Sequence, residues 1–527
     1  MNLNVENCPV MSSDNLGIQK LKSANGQNEG LGQYFTPAKI AEFMASMLET
    51  PASKEIKILD PGAGGGVLTS AAVKELISRR NHPSHIEAHL YEIDRSLIET
   101  LNQSMSHLKA WAAQREVKFN YKIRNEDFVI SNSHVLTNQG SLFSNENDGE
   151  FDVVISNPPY FKIPKDDPRA ISCNSIVYGQ PNIYSLFMGV SAGCLKTGGQ
   201  FVFITPRSFA AGNYFQAFRK YLFSQISFRR FHLFESRISA FDRDSVLQEN
   251  VITFGKKVAN KSSDKIEITT SHGISDLNEC KSIVVPRPEL IDSSNILCLP
   301  SSENDLSILK HFKNWSDSLD TYCLKISTGP VVPFRATEFL QKKETETSVP
   351  LLWIQHALPM RVKFPLETFR KEQWIRSTPG SRKLLVSNSN MILMRRFSPK
   401  EDFRRLTVAP YIGGHIKAEL LGLENHLNYI YRPEGQFSKK LVHGLSAFLN
   451  SKLFDSYFRI TNGNTQVSAT ELRAATLPPS SKLEHVGALI AKVKDPTHET
   501  IDDIVNEVLE IESVNEKARR SLIPSHS

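Results

Sequence analysis

Ile58-Leu59-Asp60-Pro61-Gly62-Ala63-Gly64-Gly65-Gly66 is a short apolar run that ends in a glycine-rich turn. The apolar run is typical of a buried β-strand, and a helical pattern follows from Val67 to Leu76. Glycines at such a position let the chain turn tightly and let a ligand lie against the backbone. The turn matches neither G-x-x-x-x-G-K-[ST] nor G-x-G-x-x-G, so it favours an adenosyl ligand without a pyrophosphate. A turn that serves packing alone is the alternative.

Strand and helix patterns alternate along the chain around this turn. They predict strands at 89–92, 120–123, 151–155 and 200–205, and helices from Thr36 and over 95–108. Such alternation is typical of βαβ units and a parallel sheet, so the fold class is predicted to be α/β. The predicted domains are a flexible lead-in (1–30), the α/β domain (31–260), a mixed second domain (261–484) and a helical tail (485–527).

The positive charge of the chain is concentrated in one stretch. The 527 residues carry a net charge of +6, but residues 361–440 alone hold 16 Lys and Arg against 7 Asp and Glu, a net of +9. Clustered cations neutralise phosphates, so the stretch predicts a nucleic-acid surface, with a solvated charged face as the alternative. Arg395, Arg396, Arg404 and Arg405 are the candidate DNA-binding residues in it.

Several classes of protein are excluded. No apolar run reaches the roughly 18–20 residues that a membrane helix needs, and the first residues do not resemble a signal peptide. The six cysteines have no zinc-ligand spacing. We therefore expect a cytoplasmic protein with reduced thiols, no metal site and no membrane association.

The segment Ser156-Asn157-Pro158-Pro159-Tyr160-Phe161 follows the strand pattern at 151–155. Two prolines stiffen the turn and remove two N–H donors. The Asn157 side-chain oxygen and the Pro158 carbonyl can each accept one hydrogen of a planar amino group, which aims its lone pair at an electrophile. Tyr160 would stack on the flat substrate, as enzymes do with a base extruded from a duplex. The alternative is a turn that only caps the strand.

Two acidic residues suit a nucleoside ligand. Glu92 ends the second strand pattern, where a carboxylate can accept both ribose hydroxyls. Asp127 follows the third strand and could accept from an adenine amino group.

With these motifs in this order, the chain resembles the gamma group of S-adenosylmethionine-dependent N6-adenine DNA methyltransferases, the modification enzymes of restriction–modification systems. The segment Gln33-Tyr34-Phe35-Thr36-Pro37 matches the N-terminal cofactor motif of that group. The resemblance implies a Rossmann-like methyltransferase domain, S-adenosyl-L-methionine as cofactor and double-stranded DNA as substrate. It implies that the cofactor is bound by Phe35, Thr36, Asp60, Gly62, Gly64, Glu92, Asp127 and Pro159. Thr36 would touch the methionine end and Asp60 its amino group.

The resemblance implies further roles. Phe241, before Gln248-Glu249-Asn250, would stack on the second side of a flipped adenine. Ser327 to Pro330 and Asn462 to Val467 look like parts of a target-recognition region. We expect a bacterial monomer, associated with the nucleoid through DNA and paired functionally with a separate restriction endonuclease. The turn Gly62 to Gly66 is one glycine richer than the usual family pattern.

Four other functions are the alternatives. The turn Asn157-Pro158-Pro159-Tyr160 also occurs in N4-cytosine DNA methyltransferases, but Asn157 at its start favours adenine. It also serves protein-glutamine methyltransferases, which are compact, unlike this chain. A DNA-binding module without catalytic activity would not need the complete set of motifs. A restriction enzyme with a fused nuclease is the fourth alternative, but the sequence contains no recognisable nuclease core.

Overall fold

The computed structural model describes residues 9–23, 36–136, 149–177, 179–234, 250–396, 403–461 and 469–511. The chain divides into two compact units, Met1–Ser301 and Ser302–Ser527.

Unit 1 is built on a nine-stranded sheet with the order β3-β2-β1-β4-β5-β7-β6-β8-β9. Its strands are β1 (Glu55–Pro61), β2 (His85–Tyr91), β3 (Lys118–Arg124), β4 (Phe151–Ser156), β5 (Leu195–Pro206), β6 (Ser227–Phe234), β7 (Asn250–Lys256), β8 (Lys265–Ser271) and β9 (Lys281–Pro286). The strands from β3 to β5 are parallel, whereas β7 is antiparallel to both of its neighbours. The predicted α/β fold class is confirmed.

Helices cover this sheet. They are α1 (Pro9–Ser23), α2 (Ala38–Ser46), α3 (Val67–Ser78), α4 (Arg95–Ala113), α5 (Phe128–Asn132), α6 (Pro168–Ser172), α7 (Ile183–Cys194), α8 (Gln216–Gln225) and α9 (Arg287–Leu290). Gly66 lies just before α3 with φ +82°, and a Cβ there would come within 2.7 Å of Met105 in α4. The last glycine of the turn therefore permits both the left-handed backbone and the close packing of two helices.

Two predicted boundaries differ from the structure. Part of the expected flexible lead-in forms α1, because Val10 is fully buried in the core and the Ser13 hydroxyl bonds to that of Ser70 at 2.9 Å. The expected domain end at 260 lies inside the sheet, since β8 pairs with β6 and β9 pairs with β8. Unit 1 extends about 40 residues further than its motifs indicate, and ends at Ser301.

Unit 2 combines two small sheets, a hairpin and helices. The four-stranded sheet has the order β10-β20-β17-β18 and the five-stranded sheet the order β11-β15-β12-β19-β16. The strands are β10 (Lys325–Thr328), β11 (Leu340–Gln341), β12 (Ser348–Leu352), β13 (Ala357–Leu358), β14 (Arg361–Val362), β15 (Trp374–Arg376), β16 (Leu385–Ser387), β17 (Met391–Arg395), β18 (Val408–Tyr411), β19 (Leu420–Leu423) and β20 (Leu427–Tyr431). The helices are α10 (Glu303–Lys313), α11 (Lys439–Asn450), α12 (Lys452–Thr461), α13 (Ala469–Ala474), α14 (Ser480–Ile490) and α15 (His498–Leu509).

The C-terminal helices belong to unit 2. Helix α14 packs tightly on α11, where a Cβ on Gly444 would lie 1.8 Å from the Leu483 carbonyl oxygen. The described part of the expected tail is therefore integrated into the domain. No helix among the described residues is long and apolar enough to cross a bilayer.

Candidate cofactor and substrate site

One cavity lies at the edge of the sheet where β1, β2 and β4 end. The glycine turn follows β1, Glu92 follows β2 and Asn157 follows β4, so the parallel pairing brings these three segments together. Seven of the predicted site residues line the cavity: Thr36, Gly62, Gly64, Glu92, Asp127, Asn157 and Pro159. Asp60, Pro158 and Tyr160 are buried beside it. Phe35 and Phe241 lie outside the described residues, as do Asn462 to Val467.

Glu92 is held in a fixed orientation by backbone amides. Its Oε2 accepts from the Gly64 N–H and its Oε1 from the Asp94 N–H, each at 2.8 Å. Burial raises the pKa of the Glu92 carboxyl, and these two N–H groups oppose that rise. Each carboxylate oxygen has a second lone pair, so Glu92 can accept two further hydrogen bonds from a ligand.

Asp127 caps the short helix α5, where its Oδ1 accepts from the Ile130 N–H at 3.0 Å. Its Oδ2 lies 3.9 Å from the Arg169 guanidinium, which also lines the cavity. Arg169 is held by Asp167 through hydrogen bonds of 2.8 and 2.6 Å, and the neighbouring aspartates raise its pKa. Arg169 was not among the residues predicted from the sequence, because only the folded position of α6 places it beside the cavity.

Asp60 lies beneath the glycine turn and does not line the cavity. Its Oδ2 accepts from the Thr69 hydroxyl at 2.7 Å, whereas its buried Oδ1 has no hydrogen-bond partner among the described residues. Complete burial raises the pKa of the Asp60 carboxyl to about 7. The Asp60 side chain is therefore partly protonated at neutral pH.

The Asn157 side chain is tied to two other segments. Its Nδ2 donates to the Thr36 hydroxyl at 3.0 Å, and its Oδ1 accepts from the Tyr160 hydroxyl. The Tyr160 oxygen also lies 3.0 Å from the Ile204 carbonyl oxygen at the end of β5. Only 6% of Tyr160 is exposed, and its ring meets that of Tyr184 edge-on. Tyr160 thus positions Asn157 in this structure, and its stacking on a substrate stays a prediction.

The four candidate DNA-binding arginines occupy different environments. Arg395 and Arg396 are half-buried and donate to the carbonyls of Ala357 and Asn425. Arg405 is only 1% exposed, and Arg404 is paired with Asp502 at 2.6 Å and is 10% exposed. The expectation that Arg404 and Arg405 face DNA is corrected, because Arg405 is buried and the Arg404 guanidinium is paired with Asp502. The sequence shows their charge but not their burial.

Comparisons with known proteins show which enzymes this chain is similar to. The model of the Eco57I restriction-modification methylase family matches residues 71–241, a range that includes Glu92, Asp127 and Asn157. The type II methyltransferase M.BsuBI of Bacillus subtilis is 33% identical over 91% of this chain and 94% of its own length. M.PstI of Providencia stuartii is 32% identical over 91% of this chain and 93% of its own length. The solved structure of the DrdV–DNA complex matches 91% of this chain and 60% of its own with 14% identity and a TM-score of 0.48.

Identity above 30% along nearly the full length of both chains fixes the family. The chain belongs to the type II DNA methyltransferases, the modification enzymes of restriction–modification systems.

Proposed function

We propose that this enzyme transfers a methyl group from S-adenosyl-L-methionine to N6 of an adenine that is flipped out of double-stranded DNA. The observation that carries the proposal is the meeting of Glu92, Asp127 and Asn157 around one cavity. Methylation at a specific site would protect host DNA from a separate restriction endonuclease. Residues of unit 2 would recognise that site, with the enzyme acting as a monomer.

The described residues fit the adenosyl part of the cofactor. Glu92, whose carboxylate is held by two backbone amides, would bind the ribose hydroxyls, and Asp127, which lines the same cavity, would accept from the adenine amino group. Phe128 and Phe187 give the cavity apolar walls for a flat ring. Thr36, Gly62, Gly64 and Pro159 would contact the rest of the molecule. When bound, S-adenosyl-L-methionine supplies an electrophilic methyl group on sulfur.

The turn after β4 would prepare the amino group for attack. Asn157 Oδ1 and the Pro158 carbonyl would each accept one N–H of the adenine amino group and so aim its lone pair at the methyl carbon. These two acceptors would hold the nitrogen while it takes up the methyl group that the cofactor would supply, with the sulfur of the cofactor as leaving group, and the nitrogen would then lose one proton to water. No strong base is needed, because the proton leaves after the transfer.

Tyr160 would regulate the availability of the Asn157 oxygen. Its hydroxyl has one hydrogen and two acceptors, Asn157 Oδ1 and the Ile204 carbonyl. Donation to Ile204 leaves Oδ1 to the substrate amino group. Stacking of the flipped base on Tyr160 and on Phe241 belongs to the proposal as well.

Expression in a bacterial host without DNA methylation, followed by sequencing that detects modified bases, tests the proposal. We expect N6-methyladenine at one short sequence, and none when the same host carries Asn157→Ala. Modified cytosine at that sequence would support N4-cytosine methylation instead, because a cytosine amino group suits the same turn.

A further inference from the structure

Unit 2 exposes a phenyl ring that lies largely in solvent. Phe334 is 73% exposed, more than any other large apolar side chain in the described part of the protein. It lies in a 3-10 turn, Pro333–Arg335, shortly after β10. An exposed phenyl ring loses the stabilisation of about 1.5 to 3 kcal/mol that burial would bring. Phe334 would gain that stabilisation if a partner covered its ring.

Buried residues on both sides hold the backbone of the Phe334 turn in place. Val331 and Ala336, on either side of the turn, are 0% and 1% exposed and belong to the core of the five-stranded sheet. The Val331 N–H donates to the Leu423 carbonyl at 3.0 Å, and the Ala336 N–H donates to the Pro333 carbonyl at 3.1 Å. Two buried anchors and two backbone bonds therefore fix the position of the backbone that carries the phenyl ring.

Exposed cations lie close in the chain to residues of the same core. The Arg335 guanidinium lies 5.3 Å from the centre of the Phe334 ring. Residues 331–385 carry 10 Lys and Arg against 5 Asp and Glu, a net charge of +5. We define the Phe334 patch as Phe334 with five exposed cations of this segment, each of which lies within two residues of a core residue along the chain: Arg335, Arg370, Arg376, Arg382 and Lys383. None of the five forms an ion pair within the described residues.

We propose that Phe334 inserts its ring between bases of the bound DNA duplex while the cations of the patch bind phosphates. A phenyl ring donates no hydrogen bond, and apart from thymine methyl groups in the major groove the apolar surface of a duplex is the interior of its base stack. Proteins that insert apolar side chains between base steps unstack them locally, and this assists an enzyme that must extrude a base. A second copy of this chain is a poor occupant, because a symmetric interface would bring two positive patches together.

This inference rests on the proposed function, and a matched pair of variants tests it. Phe403 is the control, since it is 71% exposed and has the Arg404 guanidinium 4.6 Å from its ring, but that arginine is paired with Asp502. We expect Phe334→Ala to weaken binding to a duplex with the methylated sequence about 5- to 100-fold, as loss of base stacking does. Phe334→Trp should retain binding, and Phe403→Ala should leave it unchanged. Affinity for S-adenosyl-L-methionine should not change in any variant.

Fluorescence of 2-aminopurine, placed in turn along that duplex, gives the second readout. We expect a rise at one base step with the unmodified enzyme and with Phe403→Ala, and no rise at that step with Phe334→Ala. Wild-type binding and fluorescence in Phe334→Ala would overturn the inference, as would a change in sedimentation that shows Phe334 joining two copies. If either result is found and the wild-type enzyme methylates DNA, only this inference fails. If the wild-type enzyme does not methylate DNA, the proposed function itself fails.

Discussion

The side-chain amide of Asn157 donates to the hydroxyl of Thr36 at 3.0 Å, joining segments that are 121 residues apart in the chain. This bond fixes which way the Asn157 amide faces, because its nitrogen is engaged by Thr36 and its oxygen is left on the side of Tyr160. The amide oxygen is the atom that the proposed reaction requires as acceptor. Thr36, a residue of the N-terminal motif, is therefore connected directly to the turn that would carry out the chemistry.

Thr36→Val removes the acceptor and keeps the shape of the side chain. We expect the rate of methyl transfer in a single turnover to fall about 5- to 100-fold, since the half-buried Asn157 amide loses its bond to Thr36 and such a loss costs about 1 to 3 kcal/mol. Thr36→Ser keeps a hydroxyl and should retain most of the rate. Equal rates for the two variants would show that the bond to Asn157 does not matter for the chemistry.

Glu92→Gln tests the proposed interaction with ribose. A glutamine keeps one acceptor but replaces the other oxygen with a donor that faces the Gly64 or Asp94 N–H, so the affinity for S-adenosyl-L-methionine should fall about 10-fold or more. Glu126→Gln is the matched control, because Glu126 lines the same cavity but is exposed. Calorimetric titration measures both. A similar loss of affinity in both variants would contradict a specific role for Glu92.

The buried Asp60 makes stability depend on pH. Its pKa is about 7 in the folded protein, raised by burial from an ordinary value of 3.8. Between about pH 4 and 7 the unfolded chain has lost this proton while the folded protein retains it, so this contribution to stability falls as pH rises. The free energy of unfolding of the wild type should fall relative to that of Asp60→Asn by about 1.4 kcal/mol per pH unit in this window. Denaturant titrations with a constant difference between the two proteins would refute this.

The basic stretch should divide into residues that bind DNA and residues that support the fold. Arg382→Gln with Lys383→Gln should reduce the slope of log affinity for DNA against log salt by about 0.9 for each phosphate that the two side chains neutralise in the wild type. Arg404→Gln should leave that slope unchanged and lower the free energy of unfolding by about 1.5 to 3 kcal/mol, because Asp502 loses a charged hydrogen-bond partner. Identical effects of the two changes on the salt slope would disprove this division.

The sequence was sufficient for the five parallel strands of unit 1 and for seven of the residues that line the cavity. Each strand there is a short apolar run followed by a turn or an acidic residue, and the pairing rules of parallel strands then bring Gly64, Glu92 and Asn157 to one edge. The predicted strand and helix positions agree with the structure to within several residues.

Features that depend on tertiary packing could not be predicted in this way. Arg405 and Arg382 are alike in sequence, but one is buried and the other exposed. The bond of Asn157 to Thr36 joins distant segments without any local pattern. Strands β8 and β9 extend the sheet of unit 1 after its recognisable motifs end, so the domain boundary was placed too early.

The identity of the methylated nucleoside tests the central claim most directly. Purified enzyme would be incubated with methyl-labelled S-adenosyl-L-methionine and unmethylated duplex DNA that contains the recognised sequence. The DNA would then be digested to nucleosides. We expect all label in N6-methyl-2′-deoxyadenosine. We expect Asn157→Ala to incorporate no label while still binding S-adenosyl-L-methionine. Label in N4-methylcytosine, or a wild-type rate in Asn157→Ala, would contradict the claim.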